Sequence, residues 1–299
     1  MRLAEFRSGF AAVVGRPNVG KSTLVNTLVG HKVAIVSPKP QTTRDRISAV
    51  LTGPDYQVVF VDTPGIHKPQ HRLGSHMVNT AISTLSGVDI VLFVVEAHRP
   101  AGKGDLYVSE RLGDIPVLLV ANKMDLVRGG SLVALENYTS LLSPGWGFLA
   151  VSAVTGQGLP LLLGRVREAM PPGPAYYPED AVTDRSERFM LGELVREKVL
   201  SLCRDEVPHS VAVSVEGVSP RPNGVTYVAA TVVVEKTSQK GIIIGEGGRM
   251  LREIGRLARV DMERLLGNQV YLDLWVKVKE EWRNREAFLR SLGYDGSRL

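Results

Sequence analysis

Cysteine is nearly missing from this chain. Cys203 is the single one in 299 residues, so no internal disulfide can form and no cysteine pair exists to build a zinc ribbon. Stability must therefore come from packing. Long apolar runs are missing as well, since none approaches the ~18 unbroken apolar residues of a membrane span. The opening Met1-Arg2-Leu3-Ala4-Glu5-Phe6-Arg7 places an acid and an arginine where a signal peptide needs its apolar segment, and a cytoplasmic location is expected. There is no internal repeat and no low-complexity segment, and the Ser and His residues show no local signature of a nucleophile triad. His67 and His71 are four apart and His76 follows, but no cysteine or acid completes a metal-ligand set with them. They read as exposed polar residues.

What is present is an ordinary soluble composition, 44% hydrophobic and 22% charged, enough for two compact cores of about 100–200 residues each. The formal charge of +5 leans towards an acidic partner such as nucleic acid. Its location qualifies that reading. Residues 179–299 hold 19 Lys and Arg against 19 Asp and Glu, so the excess of 36 basic over 31 acidic residues lies entirely in the first 178. An RNA argument for the C-terminal half must rest on a local patch and a motif.

Pro171-Pro172-Gly173-Pro174-Ala175-Tyr176-Tyr177-Pro178 forbids a continuing helix and marks the expected boundary. The division expected is a domain over 1–170, a proline-rich linker over 171–180 and a second domain over 181–299. Before the linker, short apolar runs at Phe10–Val14, Val58–Val61, Ile90–Val95, Val117–Ala121 and Phe148–Val151 alternate with longer polar segments, the pattern of buried parallel strands and helices. After it come a helix near Asp184–Leu202, strands His209–Val218 and Gly224–Glu235, a helical turn around Gly241–Gly248, a helix Arg249–Leu266, a strand Gln269–Val278 and a closing helix to about Leu292. That order makes an α+β unit.

Gly15-Arg16-Pro17-Asn18-Val19-Gly20-Lys21-Ser22 fits G-x-x-x-x-G-K-S between a strand and a helix. Such a loop turns its backbone N–H groups around phosphates, while Lys21 neutralises β and γ oxygens and Ser22, followed by Thr23, binds magnesium. Asp62-Thr63-Pro64-Gly65 also follows a strand, where Asp62 can hold magnesium through water and the Gly65 N–H can meet the γ-phosphate. Asn122-Lys123-Met124-Asp125 follows another, and Asp125 can accept two hydrogen bonds from guanine N1–H and its exocyclic amine. Adenine lacks that pair of donors. Ser152-Ala153 ends the last strand, where a backbone N–H can meet guanine O6. Between the first two motifs, Pro38-Lys39-Pro40-Gln41-Thr42-Thr43-Arg44-Asp45 suits a loop that orders around the γ-phosphate. Thr43 is the choice for the second magnesium hydroxyl, with Thr42 its rival. The residues expected to act on the transferring phosphate are thus Lys21, Gly65 and Thr42 or Thr43.

In the C-terminal half, Gly245-Glu246-Gly247-Gly248 fits the G-x-x-G loop of KH domains, in which glycines let backbone N–H groups approach phosphates. Ile242, Ile243 and Ile244 are expected to form an apolar wall beside it. Arg249, Arg252, Arg256 and Arg259 recur at three- and four-residue spacing as a stripe. From Lys236 to Arg264, including Lys240, there are seven basic and four acidic residues, a local excess suited to a nucleic-acid groove. Glu246 works against it, and pairing of the arginines with Glu253 and Glu263 would make the stripe a solvated helix face.

Gly15–Ser22, Gln41-Thr42-Thr43-Arg44, Asp62–Gly65, Asn122–Asp125 and Ile244–Gly248 together resemble the Era family of bacterial ribosome-assembly GTPases over nearly the whole chain. The resemblance implies an α/β P-loop NTPase, Ras-like with a mostly parallel sheet, followed by an α+β type II KH domain. It implies binding of GTP and GDP, of the 3′ end of small-subunit ribosomal RNA and of the 30S subunit, with help to that subunit's maturation. Peripheral membrane association comes with the family too, although no anchor is evident here. Ile66 stands where Ras-type proteins carry the glutamine that orients the attacking water. In related GTPases a residue placed like Asn18 helps hold potassium as an arginine-finger substitute, so K+ joins Mg2+ as an expected cofactor. The rival reading is a constitutive RNA-binding scaffold with GTP as a structural ligand, while an ATP-driven remodeller conflicts with Asn122–Asp125.

Overall fold

The computed structural model describes residues 5–69, 71–128, 138, 141, 143–204, 206–292 and 294. The chain divides into two compact units. The first comprises Met1–Ala34, Thr43–Pro69 and Gly74–Asp184, and the second Ile35–Thr42, Gln70–Leu73 and Arg185–Leu299.

In the first unit the strands are β1 (Arg7–Val14), β2 (Ile47–Gly53), β3 (Tyr56–Asp62), β4 (Ile90–Glu96), β5 (Val117–Asn122) and β6 (Gly147–Ala150), and the helices are α1 (Lys21–Val29), α2 (Arg72–Ser83, entering from the second unit), α3 (Lys103–Ser109) and α4 (Leu159–Ala169). The sheet runs β2-β3-β1-β4-β5-β6. All neighbours are parallel except β2, which pairs antiparallel with β3. β2 is an addition to the strands read from sequence, because Ile47–Gly53 has no long apolar run. Strand alternation supplies two cores: Ala11 and Val13 point into one with Leu24, Val25, Leu162 and Val166, while Ala12 and Val14 point into the other with Ala81, Val108 and Leu112. A strand covered on both faces must be apolar at every position, which is why these runs are continuous.

The expected linker is not a free tether. Ser8 N donates to Pro171 O (3.1 Å), Gly173 N to Phe6 O (3.0 Å), the Tyr176 and Tyr177 amides to Gln57 Oε1 (2.7 and 2.9 Å), and Val50 N to Val182 O (3.0 Å). Ser48 Oγ reaches Asp184 Oδ2 at 2.8 Å. Prolines cannot donate, but their neighbours can, so the segment is tied along the first unit as far as Asp184.

The second unit contains α5 (Glu187–Leu202), α6 (Val207–Ser210), β7 (Ala212–Pro220), β8 (Thr226–Val234), α7 (Thr237–Ile244), α8 (Arg249–Leu266), β9 (Val270–Val278) and α9 (Glu286–Ser291). β7 and β8 are antiparallel, and β8 and β9 parallel. The expected strand from His209 begins at Ala212, since Pro208 opens the short α6. α5 starts at Ser186, whose Oγ accepts the Phe189 N–H at 3.3 Å, a standard N-cap. Its Leu191, Leu194, Val195 and Val199 share one core with Ile254, Ala258 and Met262 of α8 and with Val228, Val232 and Val276 of the sheet. No described helix is long and apolar enough to cross a membrane.

Candidate functional site

β1, β3, β4 and β5 present their carboxyl ends on one edge of the sheet, with Val13 level with Asp62 and Val14 with Phe93, while β4 and β5 run on to Glu96 and Asn122. The carboxyl ends of an open α/β sheet are where such folds place ligands. Gly15–Gly20 leads from β1 into α1. Gly20 has φ 96°, and a Cβ there would lie 2.4 Å from Asn122 Nδ2, so only glycine lets the phosphate loop approach the loop after β5 so closely.

Lys21 is buried, its ammonium donating to Gly15 O (3.2 Å) and Arg16 O (2.9 Å). Burial pulls its pKa down to about 8, against the attraction of Asp62 and with a smaller contribution from Arg16. Beside it the next helical residue, Ser22, meets the ends of two other segments. Ser22 Oγ donates to Asp62 Oδ2 at 2.7 Å and lies 2.9 Å from Thr43 Oγ1, which is 3.2 Å from the same carboxylate oxygen. Burial raises the Asp62 pKa, while Lys21 and the two hydroxyls oppose the shift. Its Oδ1 is buried with no hydrogen-bond partner among the described residues. Two hydroxyls and a carboxylate are hard oxygen donors, the set that magnesium takes in phosphate loops, so these residues fit the ion.

Thr42 does not join them. Its Oγ1 donates to Lys39 O at 2.6 Å, and the residue belongs to the second unit. Ile66 is 1% exposed and packs with Ala12, Val14 and Ala81, while its N–H bonds Gly15 O at 3.1 Å. The isoleucine is a core residue.

The loop after β5 is cross-braced to the phosphate loop. Asn122 Nδ2 donates to Val19 O (3.0 Å), and Lys123 Nζ to Asn18 O (2.7 Å). Asp125 is exposed at the rim, with one carboxylate oxygen held by Ser152 Oγ at 2.5 Å. At Ser152 and Ala153, where a guanine contact through a backbone N–H is expected, both amides and the Ser152 hydroxyl have partners within the protein. The amides are engaged by Gln157 O (2.9 Å) and Asn122 Oδ1 (3.0 Å), and the Ser152 side chain orients Asp125. Sequence reasoning also passed over Glu96, whose carboxylate meets Lys123, and Asp105, which binds Arg16 Nε at 2.6 Å. An acid closing an otherwise apolar strand was the available signal.

In the second unit, Gly245–Gly248 turns α7 into α8 with Gly245, Gly247 and Gly248 all at positive φ (69°, 57° and 77°). Arg249 pairs with Glu246, and Arg252 Nη2 donates to Gly247 O at 2.8 Å. Further along, Arg256 pairs with Glu253 (2.7 Å) and Arg259 with Glu263 (3.8 Å). The arginine stripe is thus largely charge-compensated by acids one helical turn away. The apolar wall is reduced as well: Ile242 is exposed and Ile244 half-buried, but Ile243 is 0% exposed inside the core. Adjacent helical residues are ~100° apart, so three in a row cannot line one wall. Lys240 is half-buried on the same helix.

A family model for 50S ribosome-binding GTPases matches residues 10–123, and one for KH domains matches residues 206–283. Over 296 residues, 98% of each chain, the protein is 50% identical to the GTPase Era of Lacticaseibacillus paracasei. The chain belongs to the Era family of GTPases. The GTPase Era of Carboxydothermus hydrogenoformans is 49% identical over 292 residues, 97% of this chain and 98% of that one. Among solved structures, a variant of Aquifex aeolicus Era bound to GDP and AlF4− superposes with a TM-score of 0.93 at 37% identity, covering 97% of this chain and 99% of that one. An Era protein in complex with MgGDPNP and nucleotides 1506–1542 of 16S ribosomal RNA gives a TM-score of 0.92, also at 37% identity and over 97% and 99% of the two chains. The architecture is that of the family: a Ras-like P-loop GTPase domain followed by a KH domain.

Proposed function

We propose that this Era-family GTPase uses GTP hydrolysis to gate its binding to the 3′ region of small-subunit ribosomal RNA, and so assists maturation of the 30S subunit in the cytoplasm. The observation that carries the reading is the triangle of Ser22, Thr43 and Asp62 beside the buried ammonium of Lys21. Ser22 and Thr43 would hold Mg2+ directly and Asp62 would hold it through water. The ion supplies charge neutralisation across the β- and γ-phosphate oxygens. Lys21 adds a fixed positive charge at the same oxygens, and the Gly65 N–H is offered to the γ-phosphate. Asp125, oriented by Ser152, selects guanine.

The side chain after Gly65 is an isoleucine and cannot position water, so the missing transition-state charge is assigned to K+ held with the help of Asn18. Asn18 sits exposed in a left-handed conformation (φ 66°), its carbonyl fixed by Lys123, and its side chain carries a neutral amide oxygen at the loop's rim. That donor type suits a monovalent cation. The RNA half is assigned to Gly245–Gly248 with Ile244, Arg249, Arg252 and Lys240, by analogy with the Era protein solved with 16S ribosomal RNA.

The test is phosphate release with and without ribosomal RNA, in potassium and in sodium at equal ionic strength. Faster release in potassium, abolished in Thr43→Ala but retained in Thr42→Ala, is the expected pattern. The burial of Ile66 also favours a second reading, a scaffold that rarely hydrolyses GTP. Release indistinguishable from the protein-free background under every condition would select it.

A further inference from the structure

Glu96 closes β4 at the ligand end of the sheet, level with Asn122. Its carboxylate takes a hydrogen bond from Lys123 Nζ and lies 3.7 Å from Arg16 Nη2 and 3.9 Å from Arg99 Nη1. These cations come from three loops, those following β1, β4 and β5. Arg16 is held on its other side by Asp105, which is 0% exposed and whose Oδ2 accepts the Gly102 N–H at 2.9 Å at the start of α3. Burial would raise the Glu96 pKa, but Lys123, and less strongly Arg99, hold it below the usual range. The carboxylate is therefore ionised at neutral pH.

Lys123 also connects two strained positions. Its own backbone (φ 68°) and that of Asn18 (φ 66°) are left-handed without being glycine, and the single ammonium that bonds Asn18 O is the one Glu96 neutralises. Strained non-glycine backbone at a site persists only when its surroundings over-determine it. Here the ammonium of Lys123 ties the two positions together, and Glu96 supplies its counter-charge.

We propose that Glu96 is a positioning residue for nucleotide binding: through Lys123 and Arg16 it locks the guanine-reading loop to the phosphate loop, so that base and phosphates are grasped as one unit. The inference rests on the reading of this cleft as the guanine-nucleotide site. Removing the charge while keeping the shape would strip Lys123 of its counter-charge, leave Arg16 to Asp105, and free each loop to move without the other.

The experiment measures GDP affinity and dissociation rate in four full-length proteins: the parent, Glu96→Gln, Lys123→Met and the double variant. Loss of one partly exposed charge-assisted hydrogen bond predicts GDP binding about tenfold weaker in Glu96→Gln, mostly through faster dissociation. In the Lys123→Met background the same change should have an effect within about twofold, because the partner is already gone. A general structural role would instead weaken binding equally in both backgrounds, and that outcome overturns the proposal. So does Glu96→Gln binding GDP as the parent does. Glu96→Asp, which keeps the charge but shortens the reach, should fall between parent and Glu96→Gln, and it replaces the latter if that variant fails to fold. If the parent itself binds no guanine nucleotide, the reading of the site falls, and not Glu96 alone.

Discussion

Lys21 shows how a single residue can be read only in its surroundings. Burial has lowered its pKa from 10.5 to about 8, and the phosphate anions that the site is built to receive would restore the charged form. The sign follows directly. Below about pH 7 the ammonium is already protonated and nucleotide binding takes up no proton. Near pH 8 about half the molecules must gain one, and above that affinity falls as pH rises. Calorimetry of GDP binding in magnesium-free buffers of different ionisation enthalpy should find uptake near zero at pH 7 and about half a proton at pH 8. Equal uptake at both values would mean that Lys21 keeps an ordinary pKa. Linked to folding, the same shift runs the other way: the depressed pKa costs stability below about pH 8, and the cost is relieved as pH rises towards 10.5.

At the scale of elements, the turn from α7 to α8 is the proposed meeting point of the second unit with RNA phosphates. α8 buries Ile254, Ala258 and Met262 on one side and shows its arginines on the other, but its own acids occupy most of them. On the proposed reading, RNA affinity should depend on the glycine turn more than on the stripe. Gly247 lies at φ 57° with nothing within 4 Å of an added Cβ. Gly247→Asp should fold with a loss of about 1–2 kcal/mol from left-handed strain. By setting a carboxylate among RNA phosphates it should lower RNA affinity on the order of tenfold, with GDP affinity unchanged. Binding of a 16S 3′-end RNA by fluorescence anisotropy at fixed salt checks it, and unchanged RNA affinity would move the site away from this turn.

For the whole molecule, the informative boundary is not the proline-rich segment but the peptide bond between Thr42 and Thr43. Residues Ile35–Thr42 belong to the second unit, where Ile35 joins the core, Val36 N donates to Glu197 Oε1 at 3.0 Å and Thr42 O accepts from Arg196. Arg196 is itself 0% exposed and clasped by Glu193, at 2.7 Å from Nε. Thr43, the next residue, stands beside Asp62 in the first unit. A loop tied at both ends in this way predicts that GTP and RNA each change the other's affinity by the same factor, since linkage between binding equilibria is reciprocal. RNA affinity measured with GDP and with a non-hydrolysable GTP analogue, at one salt concentration, should differ several-fold. Identical affinities would leave two independent modules on one chain.

Sequence alone determined whatever is local along the chain. The phosphate loop, Asp62–Gly65 and Asn122–Asp125 are contiguous runs recognisable from their own residue order, and the alternation of apolar runs with polar segments is the pattern of a parallel sheet covered on both faces. The tertiary structure decided what depends on where distant segments meet. It put Thr43 rather than Thr42 against Asp62, because backbone direction in a proline-broken loop is set by what its two ends pack against. It used the Ser152 hydroxyl to orient Asp125 and took its amide for Gln157, buried Ile66 and Ile243, and tied residues 171–184 along the first unit. Glu96 carries the lesson furthest. In sequence it is one acid after six apolar residues, and only the convergence of three loops at the strand end gives its charge the partners Lys123, Arg16 and Arg99.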